Sequence, residues 1–255
     1  MIEEKPRGRF VWFDLMTTNP SAPAGFYPAV TGWGTTEWNG PTPYTMWTIN
    51  GTSIGGVMPL RAGSSSPPHW LSYISTPDAD DTIAQAVALG ARVLRPASDI
   101  PTVGRFAVLN DPQGAAFAVF MPESQAPGHD GEPQLGEFSW HELVTHDYPA
   151  AYRFYERLFG WEKAAAMDMG GGNIYQMFSR KGIVLGGMFN KTPEMPGPPA
   201  WLHYVRVDDV HRAVAAVRDR GGQVMVEPME VPGGDMIAQC VDPQGARFAV
   251  HAKKR

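Results

Sequence analysis

Residues 8–17, GRFVWFDLMT, alternate large side chains with smaller or polar ones, the two-residue period of a half-buried strand. A short helix is expected over 21–30, stopped by Gly32-Trp33, and a better-formed one over 149–159. The runs 44–49 and 54–58 flank Asn50-Gly51, residues suited to a two-residue hairpin turn. A strand over 70–75 precedes a helix over 78–89 that Gly90 can terminate. Short strands near 91–95 and 105–109 follow, then the turn Asp111-Pro112-Gln113-Gly114 and a last strand over 116–120.

This pattern occurs twice. The stretch 9–33 falls on 137–161, matching Phe10/Phe138, Trp12/Trp140, Leu15/Leu143, Thr17/Thr145, Phe26/Phe154, Tyr27/Tyr155, Gly32/Gly160 and Trp33/Trp161. After one three-residue length change in a hairpin, the match continues with Tyr44/Tyr175, Met46/Met177, Gly55/Gly186, Gly56/Gly187, Trp70/Trp201, Tyr73/Tyr204 and Gly90/Gly221, ending with DPQGAAFAV on DPQGARFAV. Two modules are expected, 1–122 and 136–255, joined over 123–135, where Pro, Gly and polar residues read as a linker. Each module is a pair of βαβββ units, and the fold class is α+β.

Composition narrows the function classes. Hydrophobic residues are 43% and charged residues 18%, as in a globular chain. A net charge of −5 offers no basic field for nucleic acid or an anionic membrane. The single cysteine, Cys240, precludes an intramolecular disulfide or a multi-thiolate metal site, and no cationic sequence neighbour activates it. The opening MIEEKPRGRF lacks the apolar core of a secretion signal, and no apolar run approaches the roughly 18 residues of a spanning helix. A soluble, cytoplasmic protein is expected.

With FY near the end of the first helix, GW after it, GG in the fourth strand and DPxG before the last strand, the chain resembles the vicinal oxygen chelate superfamily over nearly its whole length. That group includes glyoxalase I, extradiol dioxygenases, fosfomycin-resistance enzymes and bleomycin-binding proteins. The likeness is greatest to the bacterial tandem two-module glyoxalase-like proteins. The resemblance implies two curved sheets, each forming a cup, and in metal-dependent members His and Glu ligands from the first, fourth, fifth and eighth strands. Placed on this chain, the first-strand ligand positions are Trp12 and Trp140, the fifth-strand positions Leu71 and Leu202, and the eighth-strand positions Ala118 and Ala249. The fourth strands, SIGGVMPL and IVLGGMFN, contain no His, Asp or Glu. A catalytic metal needs three or more imidazole or carboxylate ligands. No metal cofactor is therefore expected.

His141 and His203 each stand one residue past a ligand position, so a one-residue register shift would turn both into the cup as fallback ligands for a divalent metal. The preferred reading makes them ordinary, partly exposed strand residues. HELVTH (141–146) has its histidines five apart on a strand, hence on opposite faces, unlike the helical zinc-protease motif.

Strand alternation points Phe10, Trp12 and Asp14, and likewise Phe138, Trp140 and Glu142, toward the vacated positions. The fifth strands add Tyr73 in one module and Tyr204 and Arg206 in the other. An aromatic-lined pocket with a few polar groups suits a small molecule; a filled core is the alternative. Glu142 and Tyr204 are the candidate catalytic residues, unless Arg206 holds Glu142 in an ion pair. The Ser, His and Asp residues form no nucleophile-elbow pattern.

Three functions are open at this point. The first is metal-independent binding of a small, partly aromatic or apolar molecule. The second is a lyase, isomerase or dioxygenase, with a metal or with acid/base work by Glu142 and Tyr204. The third is a non-catalytic scaffold for protein association. The expected partner is a small-molecule ligand, and the chain is a monomer with paired modules or a homodimer.

Overall fold

The computed structural model describes residues 6–40, 43–61, 63–64 and 66–254, so the first five residues of the segment read for a secretion signal lie outside the described residues. Among the described residues, no helix is long and apolar enough to cross a membrane.

Four βαβββ units follow one another along the chain. The first eight strands are β1 (Phe10–Thr17), β2 (Gly34–Glu37), β3 (Thr45–Ile49), β4 (Thr52–Pro59), β5 (His69–Ser75), β6 (Arg92–Ile100), β7 (Gly104–Asn110) and β8 (Ala116–Pro122). The second eight are β9 (Phe138–Thr145), β10 (Glu162–Asp168), β11 (Ile174–Arg180), β12 (Ile183–Asn190), β13 (Ala200–Arg206), β14 (Gln223–Glu230), β15 (Met236–Val241) and β16 (Arg247–Ala252). They form two eight-stranded mixed sheets, ordered β2-β3-β4-β1-β5-β8-β7-β6 and β10-β11-β12-β9-β13-β16-β15-β14. In each unit the last strand returns parallel to the first: β1 with β4, β5 with β8, β9 with β12 and β13 with β16. The expected α+β class and fourfold βαβββ pattern are both present.

The helices are α1 (Tyr27–Thr31), α2 (Ala79–Ala88), α3 (Tyr148–Phe159) and α4 (Val210–Asp219). The side chains of Asp78, Asp147 and Asp209 cap the last three by accepting from Asp81, Ala150 and Arg212 amides. The helix expected over 21–30 is instead a 3-10 turn, Ala22–Gly25, followed by the five-residue α1. Pro28 supplies no amide and its ring collides with the preceding turn, so one continuous helix cannot form there. Strands β2 and β10 were missing from the sequence pattern; β2 is exposed throughout and β10 nearly so, which leaves no alternation to detect.

Contacts divide the chain into two compact units that cut across the sequence repeat. Unit one comprises Met1–Trp12, Ser72–Gly131 and His141–Trp201; unit two comprises Phe13–Leu71, Glu132–Trp140 and Leu202–Arg255. The repeated motifs explain how each unit holds together. In unit one, Trp201 Nε1 donates to the Tyr155 hydroxyl, which donates to Asp111 of the DPQG turn, both at 3.1 Å. Asp111 also accepts the Gln113 and Ala115 amides at 2.9 Å. Unit two repeats the chain as Trp70 to Tyr27 to Asp242. The GW tryptophans bond to backbone: Trp161 Nε1 to Gly8 O at 2.8 Å, and Trp33 Nε1 to Gly136 O at 2.7 Å. Burial raises the phenol pKa of Tyr27 and Tyr155 well above the usual value, helped by the adjacent Asp242 and Asp111, so both hydroxyls remain donors.

Candidate functional site: paired carboxylates and tyrosines

In unit one, Glu142 is 8% exposed and accepts a hydrogen bond from the Tyr175 hydroxyl at 3.1 Å. Strand β12 runs beside β9 with Gly187 opposite Glu142 and Gly186 opposite His141. A Cβ added at Gly187 would overlap the Tyr175 ring, and one at Gly186 would overlap the His141 carbonyl. The first glycine leaves room for the phenol to reach the carboxylate; the second lets two backbones approach.

Unit two repeats the device. Asp14, 5% exposed, accepts from the Tyr44 hydroxyl at 2.5 Å, Gly56 stands opposite Asp14, and a Cβ there would overlap the Tyr44 ring. Tyr44 and Tyr175 were visible in the sequence only as repeat markers. Their pairing with the first-strand carboxylates was missed, although both occur at matched positions with a glycine beside each.

The other expected site residues are distributed as follows. Trp12 and Tyr73 belong to unit one with Glu142; Trp140, Tyr204 and Arg206 belong to unit two with Asp14. Trp12 and Trp140 are half-buried. Tyr73 stands beside Ala118 and packs against Phe106, over which Arg95 lies at 4.5 Å. Tyr204 stands beside Ala249, and its hydroxyl accepts from Gln239 Nε2 at 2.8 Å. Arg206, expected as the alternative partner of Glu142, donates to the Pro133 carbonyl. Phe10 and Phe138 have ring partners of their own. Phe10 packs with Trp161 and Trp201, and Phe138 with Trp33 and Trp70, because each joins an aromatic core.

The two histidines are not partly exposed. His141 stacks on Phe10 at 3.8 Å, and His203 meets the edges of Phe13 and Phe138 at 5.1 and 6.1 Å. Burial pushes the His203 imidazole down to about 3, so it is neutral across the physiological range. Among the described residues, no three His, Cys, Asp or Glu side chains group to hold a metal ion. Cys240 is buried; the charge of Arg218 acts on it, which its sequence neighbours did not reveal, and Glu227 pairs with that arginine at 2.5 Å.

A cavity of about 420 Å³ opens in unit one between α3 and strands β10 and β11, lined by Tyr148, Tyr152, Arg153, Glu156, Lys163 and Gln176. In unit two, Ser139, His251 and Asp235 come together although no sequence pattern groups them.

Known proteins place this architecture. The profile of the Glyoxalase/Bleomycin resistance protein/Dioxygenase superfamily matches residues 137–250, and that of the Glyoxalase-like domain matches residues 10–120. CFP32 of Mycobacterium tuberculosis, a protein named as a glyoxylase, is 35% identical over 94% of this chain and 92% of its own. The anthracycline biosynthesis protein DnrV of Streptomyces peucetius is 30% identical over 95% of this chain and 92% of its own. Among solved structures, the Mn(II)-bound glyoxalase from Novosphingobium aromaticivorans superposes with a TM-score of 0.64 at 15% identity, covering 99% of this chain and 83% of that one. Homoprotocatechuate 2,3-dioxygenase from B. fuscum gives 0.68 at 16% identity, covering 100% and 73%. The chain belongs to the glyoxalase, bleomycin resistance protein and dioxygenase superfamily, the vicinal oxygen chelate proteins, as a tandem two-domain member.

Proposed function

We propose that this protein binds a small, partly aromatic or apolar molecule without a metal ion, as a sequestering or resistance-type binder. The observation that carries the reading is the donor set. The first-, fifth- and eighth-strand positions where the resemblance puts ligands hold Trp12, Trp140, Leu71, Leu202, Ala118 and Ala249, and the fourth strands hold no His, Asp or Glu, so none supplies imidazole or carboxylate. A divalent metal such as the Mn(II) of the glyoxalase neighbour does not fit these residues. His141 and His203, the fallback ligands, face phenylalanine rings.

The half-buried indoles of Trp12 and Trp140 suit a flat ring system, and the buried Asp14–Tyr44 and Glu142–Tyr175 pairs supply polar anchors. An aromatic ligand also accords with DauV and DnrV, both named for anthracycline biosynthesis, since anthracyclines are fused-ring aromatics.

Tryptophan fluorescence tests the reading, with an anthracycline and simpler fused-ring phenols as probes. Saturable quenching that survives EDTA and weakens in Trp12→Phe or Trp140→Phe is expected. Quenching that requires added metal, or none with any probe, overturns it.

A further inference from the structure

Ser139, His251 and Asp235 form a continuous hydrogen-bonded chain in unit two. Ser139 Oγ lies 2.9 Å from His251 Nδ1, and His251 Nε2 lies 3.0 Å from Asp235 Oδ2. The three come from β9, from β16 and from the turn between β14 and β15. Asp235 is itself fixed, because its Oδ1 accepts the Lys254 amide at 2.9 Å. Burial works against its charge, but the Lys254 amide, the His251 bond and nearby Lys253 together hold its carboxyl below the usual range.

An ionised Asp235 takes the proton on Nε2 as its hydrogen bond, which leaves the Nδ1 lone pair facing the Ser139 hydroxyl. The Ser139 hydroxyl also donates to the Tyr204 carbonyl at 3.3 Å, a longer bond that its single proton must leave to reach His251 Nδ1 at 2.9 Å. A hydroxyl within reach of a base that a third group orients is the signature of an activated nucleophile. The two imidazole nitrogens have exchanged the roles they hold in serine proteases, but the proton path is the same. The His251 side chain is 13% exposed and that of Asp235 34%, and Ser139 is only partly buried, so a small reagent has access. The repeat does not account for the cluster, since the matched positions in the first half hold Val11, Phe120 and Gly104.

We propose that Ser139 is a nucleophile for acyl transfer from carboxylic esters, an activity separate from the ligand binding proposed above. Ser139 Oγ bonds to the ester carbonyl carbon while its proton passes to His251 Nδ1 and the carbonyl electron pair moves to oxygen. As the carbonyl reforms, the bond to the alkoxy oxygen breaks, and Nδ1 returns the proton to the leaving alcohol. Water then repeats the sequence on the acyl-serine, its proton passing through Nδ1, to give the carboxylic acid and free Ser139.

The full chain treated with a fluorophosphonate probe tests this, read by intact mass and peptide mapping; capture needs only the nucleophile and its base. One adduct, mapped to Ser139, is expected. Ser139→Ala abolishes it, and His251→Gln slows it by about 100-fold or more. Asp235→Asn also slows labelling, and Asp235→Glu restores part of the rate, which a purely structural role of Asp235 would not produce. An unlabelled wild-type chain, an adduct mapped elsewhere, or an unchanged rate in His251→Gln overturns the proposal. The wild-type map decides the site even where a variant fails to fold, and its outcome is independent of tryptophan quenching.

Discussion

The Tyr44 hydroxyl donates a 2.5 Å hydrogen bond to the Asp14 carboxylate, and the ring that carries it lies over the glycine that pairs with Asp14. Asp14 is buried, so removing this donor leaves part of the desolvation cost of its carboxyl group uncompensated. Tyr44→Phe is expected to lower stability by about 1–3 kcal/mol in urea unfolding. Combining it with Asp14→Asn is expected to be non-additive by more than about 0.5 kcal/mol. Strictly additive effects would mean that the bond contributes nothing.

Gly187 offers a second handle on the same device. An added methyl group overlaps the Tyr175 ring, so Gly187→Ala forces the phenol away from Glu142 or shifts the strand. A loss of about 1–3 kcal/mol is expected, as for other overpacked sites. Gly187→Ala in a Tyr175→Ala background is expected to cost much less, because the obstructing ring is gone. An equal cost in both backgrounds would place the strain in the backbone.

Asp130 makes acid stability testable. Its carboxylate accepts from Arg9 Nε at 2.8 Å and also pairs with Arg180. The Arg9 hydrogen bond, with Arg180 beside it, outweighs partial burial and lowers its pKa to about 2. A carboxyl lowered in the folded state stabilises fully above its unfolded value near 4, and that contribution is lost as pH falls toward 2. Urea midpoints measured across this window are expected to fall more steeply for the native sequence than for Asp130→Asn. Parallel curves would remove Asp130 from the acid response.

The buried thiol of Cys240 is pushed up to about 12, chiefly by burial, with Arg218 opposing and Glu227 assisting. A thiol of this kind is almost entirely protonated at pH 8 and a poor nucleophile. Ellman's reagent is expected to leave it unmodified in the native protein and to titrate one thiol in denaturant. Rapid native reaction would contradict the packing around β15.

Much of the fold was legible because the strongest motifs are structural and occur twice. The Tyr of FY, the Asp of DPQG and a strand tryptophan form one hydrogen-bonded chain in each unit, so losing any member leaves a buried polar group unsatisfied. The interleaved units were not legible, because local pattern does not reveal which half of the chain receives each bond. The expected partial exposure failed at His141 and His203, polar by type but packed against rings. Ser139 and His251 are separated by most of the second half and meet only through strand order. Tyr44 and Tyr175 stood in the repeat from the start, but their target carboxylates lie on another strand, beyond what spacing alone can report.

The proposed binding mode requires that neither half of the chain hold a metal ion, since Trp12, Leu71, Ala118 and their counterparts Trp140, Leu202 and Ala249 supply no ligand. Elemental mass spectrometry of the chain, equilibrated with Fe, Mn, Ni and Zn and then freed of unbound ions, tests it most directly. Bound metal far below one ion per chain is the result expected. Near one ion per chain, reduced by Glu142→Gln or His141→Ala, would mean instead that β9 carries a metal-ligand set.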